Sequence, residues 1–161
     1  MDKVKVTIND REYEVPAGTT VLDAARLANI DIPTLCYLRE INEIGACRIC
    51  LVEVSEGGKP FRMVTSCVYP VSDGMVIKTD SPKIQKARKL NLELLLSNHN
   101  MDCLSCIRST NCELQKLCRD YGVTSSYFVG ERTKAAKDES SPSIVRDNTK
   151  CILCRRCVAA C

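Results

Sequence analysis

Residues 36–50 read CYLREINEIGACRIC. Cys36, Cys47 and Cys50 fall at the spacing Cys-x10-Cys-x2-Cys, and Cys67 follows beyond a candidate strand. Three thiols on one loop and a fourth beside a neighbouring strand can wrap a flat 2Fe–2S rhomb, whose two irons need two outside ligands each. Gly45 and Ala46 stand directly before Cys47. Small residues there let backbone N–H groups approach inorganic sulfide, which accepts hydrogen bonds. A Cys-x2-Cys knuckle also serves zinc, but a ten-residue gap ahead of a single knuckle is unusual for that ion.

The flanking sequence reads as a small sheet crossed by a helix. Residues 3–8 alternate as a strand should, Asn9-Asp10 fits a two-residue turn, and Glu12 to Val15 reads as the return strand. Thr20 with Asp23 three residues on resembles a capping box, followed by a helical apolar face of Val21, Ala24, Ala25, Leu27 and Ala28. Strands are expected over 49–54, 61–66 and 76–79, separated by turns at Glu56-Gly57-Gly58 and Asp73-Gly74. Together these make a β-grasp sheet over residues 1–80.

From Ser81-Pro82 the period becomes helical, with Ser81 as N-cap and Ile84, Ala87, Leu90, Leu94 and Leu95 on one face. The helix should end near Asn98. Next comes HNMDCLSCIRSTNC, which sets His99, Cys103, Cys106 and Cys112 at His-x3-Cys-x2-Cys-x5-Cys. A histidine at a helix C-terminus ordinarily serves as a cap or dipole partner. Three cysteines within the next 13 residues make it a ligand candidate instead. A second helix is expected from about Cys112 to Asp120, with Gly122 as its cap. Cys118 stands six residues after Cys112, away from it on a helix, and reads as a small buried apolar side chain.

Residues 129–149 are polar without sustained period and read as a connector. The chain closes on KCILCRRCVAAC, which sets Cys151, Cys154, Cys157 and Cys161 in the bacterial ferredoxin run Cys-x2-Cys-x2-Cys-x3-Cys. The first three can cup one corner of a cubane, and in two-cluster proteins the fourth ligates the other cluster. The partner run is absent, so the sequence reads as a piece of a longer chain.

Composition supports metal over disulfides. The chain has 12 cysteines in 161 residues, with two Phe, five Tyr and no Trp. The N-terminal MDKVKVTIND has no apolar stretch of signal-peptide type, and no run of about 18 apolar residues marks a membrane span. The expected compartment is the cytoplasm, where thiols stay reduced and clustered cysteines bind metal. The formal charge of +3 comes from basic residues interleaved with 20 acids, not from a basic block. It reads as compensation for anionic clusters rather than a footprint for nucleic acid. No dinucleotide fingerprint or P-loop is present, so any NAD(P)H chemistry would belong to a partner.

Taken together, PTLCYL, GACRICLVEV, SCVYPVSDGMVIKT, the His99–Cys112 stretch, CELQKL and KCILCRRCVAAC resemble the N-terminal iron–sulfur region of iron-only (FeFe) hydrogenases. The large iron–sulfur subunit of NADH dehydrogenase and some NAD-linked formate dehydrogenases are similar. The resemblance implies an α+β chain in four parts. A β-grasp 2Fe–2S domain covers 1–80 and a small helical 4Fe–4S domain covers 81–128. A connector covers 129–149, and the start of a 4Fe–4S ferredoxin domain covers 150–161.

It implies Cys36, Cys47, Cys50 and Cys67 as 2Fe–2S ligands, and His99, Cys103, Cys106 and Cys112 as ligands of a 4Fe–4S cluster. Cys151, Cys154 and Cys157 would serve a further 4Fe–4S cluster, and Cys161 another. The gap before Cys161 leans toward the hydrogenase and formate dehydrogenase pattern. The implied function is an electron relay, without a catalytic site of its own, to an active site outside residues 1–161. The implied partners are flavin- or NAD(P)-binding subunits, other iron–sulfur subunits, or ferredoxin. A zinc-stabilised interaction module is the alternative of a different class.

Overall fold

Alternating side chains over β1 (Lys3–Ile8) put Val6 and Ile8 on one buried face. Asn9 and Asp10 both take left-handed backbone, with φ of 48° and 67°. Such a two-residue turn matches the twist of a hairpin. It returns the chain along β2 (Arg11–Pro16), with Ile8 opposite Arg11 and Lys3 opposite Pro16. The computed structural model describes residues 2–132, 134 and 136–161, so Met1, and Thr133 and Ala135 of the expected connector, lie outside the described residues.

The sheet is completed by β3 (Leu51–Ser55), β4 (Arg62–Thr65) and β5 (Met75–Lys78). Its order is β2-β1-β5-β3-β4. β1 and β5 run parallel, with Val6 beside Met75, and the other neighbours are antiparallel. Each of the last three strands lies within two residues of its expected place. The helix α1 (Val21–Leu27) starts at Thr20, whose hydroxyl accepts from the Asp23 N–H at 3.2 Å and donates to the Asp23 carboxylate at 3.0 Å. That is the N-cap half of the expected capping box; the Asp23 carboxylate returns to the Thr20 hydroxyl instead of its backbone N–H. Val21, Leu22, Ala24 and Ala25 are buried, and they share one core with Val52, Val54, Met75 and Ile77. Leu27, expected on the buried face, is 64% exposed; Leu22 fills the core instead.

The helix α2 (Pro82–Ser97) follows. Ser81 accepts from the Ile84 N–H at 3.2 Å and donates to Glu53 at 2.7 Å, which fixes the helix start to β3. The buried face of α2 differs from the expected one. Ile84, Arg88, Leu92 and Leu96 are buried, whereas Leu90 and Leu94 are nearly half exposed. The reason is Arg88, whose guanidinium donates to the carbonyls of Leu51 (2.7 Å) and Thr79 (3.0 Å). A buried cation with carbonyl partners rotates the helix away from a face defined by leucines alone.

Two compact units divide the chain. One runs up to Arg88 and takes in Arg155–Cys161; the other is Lys89–Cys154, so the division falls inside α2. In the second unit, α3 (Glu113–Asp120) is capped by Cys112, whose Sγ accepts from the Gln115 N–H at 3.4 Å. Gly122, at φ 61°, takes the left-handed position after the helix, and Val123 N–H closes back on the Cys118 carbonyl at 2.7 Å. Backbone bonds of 2.9 Å join Asp138 and Arg146 in both directions. In the first unit the closing residues form α4 (Arg156–Ala160).

Candidate iron–sulfur centres

The first centre is built on the loop between α1 and β3 and on the turn after β4. Cys36, Cys47, Cys50 and Cys67 are all buried. The Sγ atoms of Cys50 and Cys67 lie 3.3 Å apart, and the Cys47 N–H donates to Cys36 Sγ at 3.5 Å. The loop is held by its own polar contacts. The Asn42 amide donates to the Cys36 carbonyl at 2.8 Å, and the Ser66 hydroxyl donates to the Cys50 carbonyl at 2.8 Å. Gly45 sits at φ 62°, a left-handed backbone that favours glycine; a Cβ there would make only ordinary contact with Val68, at 3.4 Å.

Electrostatics split the four thiols into two pairs. Cys36 is lowered to about 5 by the Cys47 thiol and, after the opposing cost of burial, by the N–H groups of Cys47 and Ala46. Cys50 is lowered to about 6, first by the Cys67 thiol and later by the Cys67 N–H and the Ser66 side chain. Cys47 and Cys67 are pushed up by those same partners and by burial. Each pair thus shares a proton and favours one thiolate, the state in which sulfur ligates metal. Four buried sulfurs, with backbone N–H groups already turned toward one of them, fit a 2Fe–2S group.

The second centre lies in the Lys89–Cys154 unit. His99, Cys103, Cys112 and Cys118 line one cavity of about 430 Å³, closed on its apolar side by Leu96 and Leu114. Cys106 is half-buried and stands outside that lining, one turn from Cys103, with its N–H on the Cys103 carbonyl at 3.2 Å. Nδ1 of His99 is shielded from solvent and has no hydrogen-bond partner among the described residues. Burial, then the Lys150 cation, lowers the His99 pKa against the opposing pull of Asp147, so the imidazole is held neutral. A buried, neutral ring nitrogen without a hydrogen-bond partner among the described residues, on a cavity also lined by Cys103, Cys112 and Cys118, has the donor chemistry of an iron ligand. The site therefore fits a 4Fe–4S group.

Cys118 corrects the sequence reading in one respect. It is buried, as expected, but it shares the cavity with Cys112 instead of pointing away from it. Cys112 is the N-cap, with extended backbone, so helical angles do not apply between the two. Burial, then the charges of Cys112 and Cys103, pushes the Cys118 thiol up to about 11, and it stays protonated.

In the closing run, Cys151, Cys157 and Cys161 are exposed and Cys154 is half-buried. Leu153 and Arg155 both take left-handed backbone, at φ 55° and 61°. The Cys161 N–H reaches the Cys157 carbonyl at 3.1 Å, one helical turn on. Cys151 and Cys154 belong to the second unit, Cys157 and Cys161 to the first. Sequence reasoning did not single out Asn42 or Ser66, which fix the ligand loop through carbonyls and carry no motif.

A five-stranded β-grasp sheet with four buried thiols, three on one loop and the fourth on the turn after β4, defines a class, the 2Fe–2S proteins. The chain belongs to the 2Fe-2S iron-sulfur cluster binding domain family, whose model matches residues 1–82. Residues 88–126 match the NADH-ubiquinone oxidoreductase-G iron-sulfur binding region.

Among its relatives is the NADP-reducing hydrogenase subunit of Solidesulfovibrio fructosivorans, 45% identical over 100% of this chain and 28% of that one. An NADH-quinone oxidoreductase subunit of Rhizobium meliloti is 41% identical over 98% of this chain and 18% of its own. A crystal structure of an NAD+-reducing NiFe-hydrogenase superposes with a TM-score of 0.88 at 33% identity, covering 98% of this chain and 65% of that one. The chain thus spans under a third of these two sequence relatives. It is an iron–sulfur region of the electron-relay type, carrying 2Fe–2S and 4Fe–4S centres. Among the described residues no helix is long and apolar enough to cross a membrane.

Proposed function

We propose that this chain passes single electrons between a partner redox subunit and an active site outside these 161 residues, within a cytoplasmic hydrogenase coupled to NAD(P)H or ferredoxin. In this reading residues 1–80 carry the 2Fe–2S centre on Cys36, Cys47, Cys50 and Cys67. Residues 81–128 carry a 4Fe–4S centre on His99, Cys103, Cys106 and Cys112. After a connector over 129–149, residues 150–161 begin a ferredoxin-type domain, with Cys151, Cys154 and Cys157 on one cluster and Cys161 on another.

The observation that carries the relay reading is the pairing of buried thiols around an N–H-lined loop. A thiolate-bound cluster takes up and releases one electron with little rearrangement. The chain's own residues supply the rest. The sheet core keeps water from the four sulfurs, Asn42 and Ser66 fix the loop, and neutral His99 gives the second centre one less negative charge than a fourth thiolate would. That raises its reduction potential, as imidazole ligands do in Rieske centres. The hydrogenase reading rests on the relative that is 45% identical and on the Cys-x3-Cys ending.

The 41% identity to an NADH-quinone oxidoreductase subunit favours a second reading, the same relay in an NADH dehydrogenase. The full-length chain, purified without oxygen in its complex, separates the two: the first reading expects hydrogen-dependent reduction of NAD(P)+ or ferredoxin, and its absence with NADH oxidation intact supports the second. Iron and acid-labile sulfide in matching amounts are expected in both, whereas a colourless zinc protein would end both. Changing His99→Cys should keep a cluster and lower its midpoint potential in an EPR titration; an unmoved midpoint would remove His99 from the ligand set.

A further inference from the structure

Arg156 opens α4 and stands between Cys154 and Cys157. Its guanidinium turns away from its own run. Nη2 donates to the Tyr37 carbonyl at 3.1 Å, and Nε donates to the Cys36 carbonyl at 3.4 Å, across 120 residues of sequence. The Cys36 carbonyl also accepts from the Asn42 amide at 2.8 Å, so two side chains share that acceptor. A planar guanidinium offers donors in a fixed fork, so it can clamp adjacent carbonyls where an ammonium would act as a point charge.

We propose that Arg156 is a positioning residue for the 2Fe–2S centre, one that locks the Cys36 loop to the segment carrying Cys157 and sets a permanent cation against it. The inference rests on the reading of Cys36 as a 2Fe–2S ligand. Uptake of one electron makes a thiolate-bound cluster more anionic, so a fixed positive charge beside it favours the reduced form. The charged groups around the loop are mixed. Arg26 stacks over the Tyr37 ring at 4.8 Å, while Asp23 and Glu43 act on the Tyr37 hydroxyl from the anionic side. Arg156 adds the cation that reaches the backbone of the ligand itself. Arg155, the preceding residue, is exposed and makes no contact with that loop among the hydrogen bonds of the described residues. It is therefore a matched control of equal charge.

The test is an EPR-monitored redox titration of the full-length, cluster-loaded chain at low ionic strength, reading the 2Fe–2S signal. At the native midpoint, Arg156→Gln should shift the ratio of reduced to oxidised centre about tenfold toward oxidised, about 59 mV for a one-electron couple. Arg156→Lys, which keeps the charge and loses the fork, should recover at least half of that shift. Arg155→Gln should move the ratio less than about threefold. A midpoint unmoved by Arg156→Gln, or moved equally by Arg155→Gln, overturns the inference. If Arg156→Gln loses its centre, Arg156→Lys decides: a native midpoint with the centre retained supports the role, and loss of the centre there overturns the charge argument. A native protein without any 2Fe–2S signal would instead sink the assignment of Cys36, on which this rests.

Discussion

The two cysteine loops of this chain solve one chemical problem by different means. At Cys36, Cys47, Cys50 and Cys67 the protein supplies the enclosure, because a five-stranded sheet, α1 and a glycine-dependent loop bury every sulfur. Around His99 it supplies a cavity in which the imidazole, like Cys103, Cys106 and Cys112, is only half-buried, with Nδ1 alone shielded. Leu104 and Ile107, beside those thiols, are 98% and 99% exposed. The first loop is shaped by the fold around it. The second rests on Leu96, Leu114 and Val123 at the cavity wall but leaves its own apolar side chains, Leu104 and Ile107, in water.

Core truncation should separate the loops most sharply. Ile77→Ala, at a residue with no exposure, should cost about 2–5 kcal/mol. Bleaching of the 2Fe–2S absorption in urea would then come at lower denaturant, with the His99-centre EPR signal unchanged below that transition. Arg88→Met comes next, since it strands the carbonyls of Leu51 and Thr79. About 1–3 kcal/mol is expected from the same unfolding curve. Thr20→Ala removes the α1 cap and should cost about 1 kcal/mol. Leu104→Ala should change either signal's stability by less than about 0.5 kcal/mol, because its side chain touches water. A large loss from Leu104→Ala would mean that the second loop has a core of its own, and the contrast would fail.

Much of this is legible in the sequence because the deciding signals are local. The hairpin is legible at Asn9-Asp10, the helix start at Thr20 and Asp23, and the burial of Cys36, Cys47, Cys50 and Cys67 together follows their spacing. What stays hidden depends on distant partners. Nothing near Arg88 announces that it reaches carbonyls 37 and nine residues away and so turns α2. A helical angle misplaces Cys118, because Cys112 caps the helix without joining it. Arg156 looks like one of two adjacent arginines until its carbonyl partners, far back in the chain, are seen.

The parallel pairing of β1 with β5 has a consequence for biosynthesis. β1 lies between β2 and β5, so the hairpin made first keeps one open edge until residues 75–78 arrive. By then Cys36, Cys47, Cys50 and Cys67 are already part of the growing polypeptide. Non-local strand pairing of this kind is slow to form. The β1 edge of the sheet therefore stays open until β5 pairs along it.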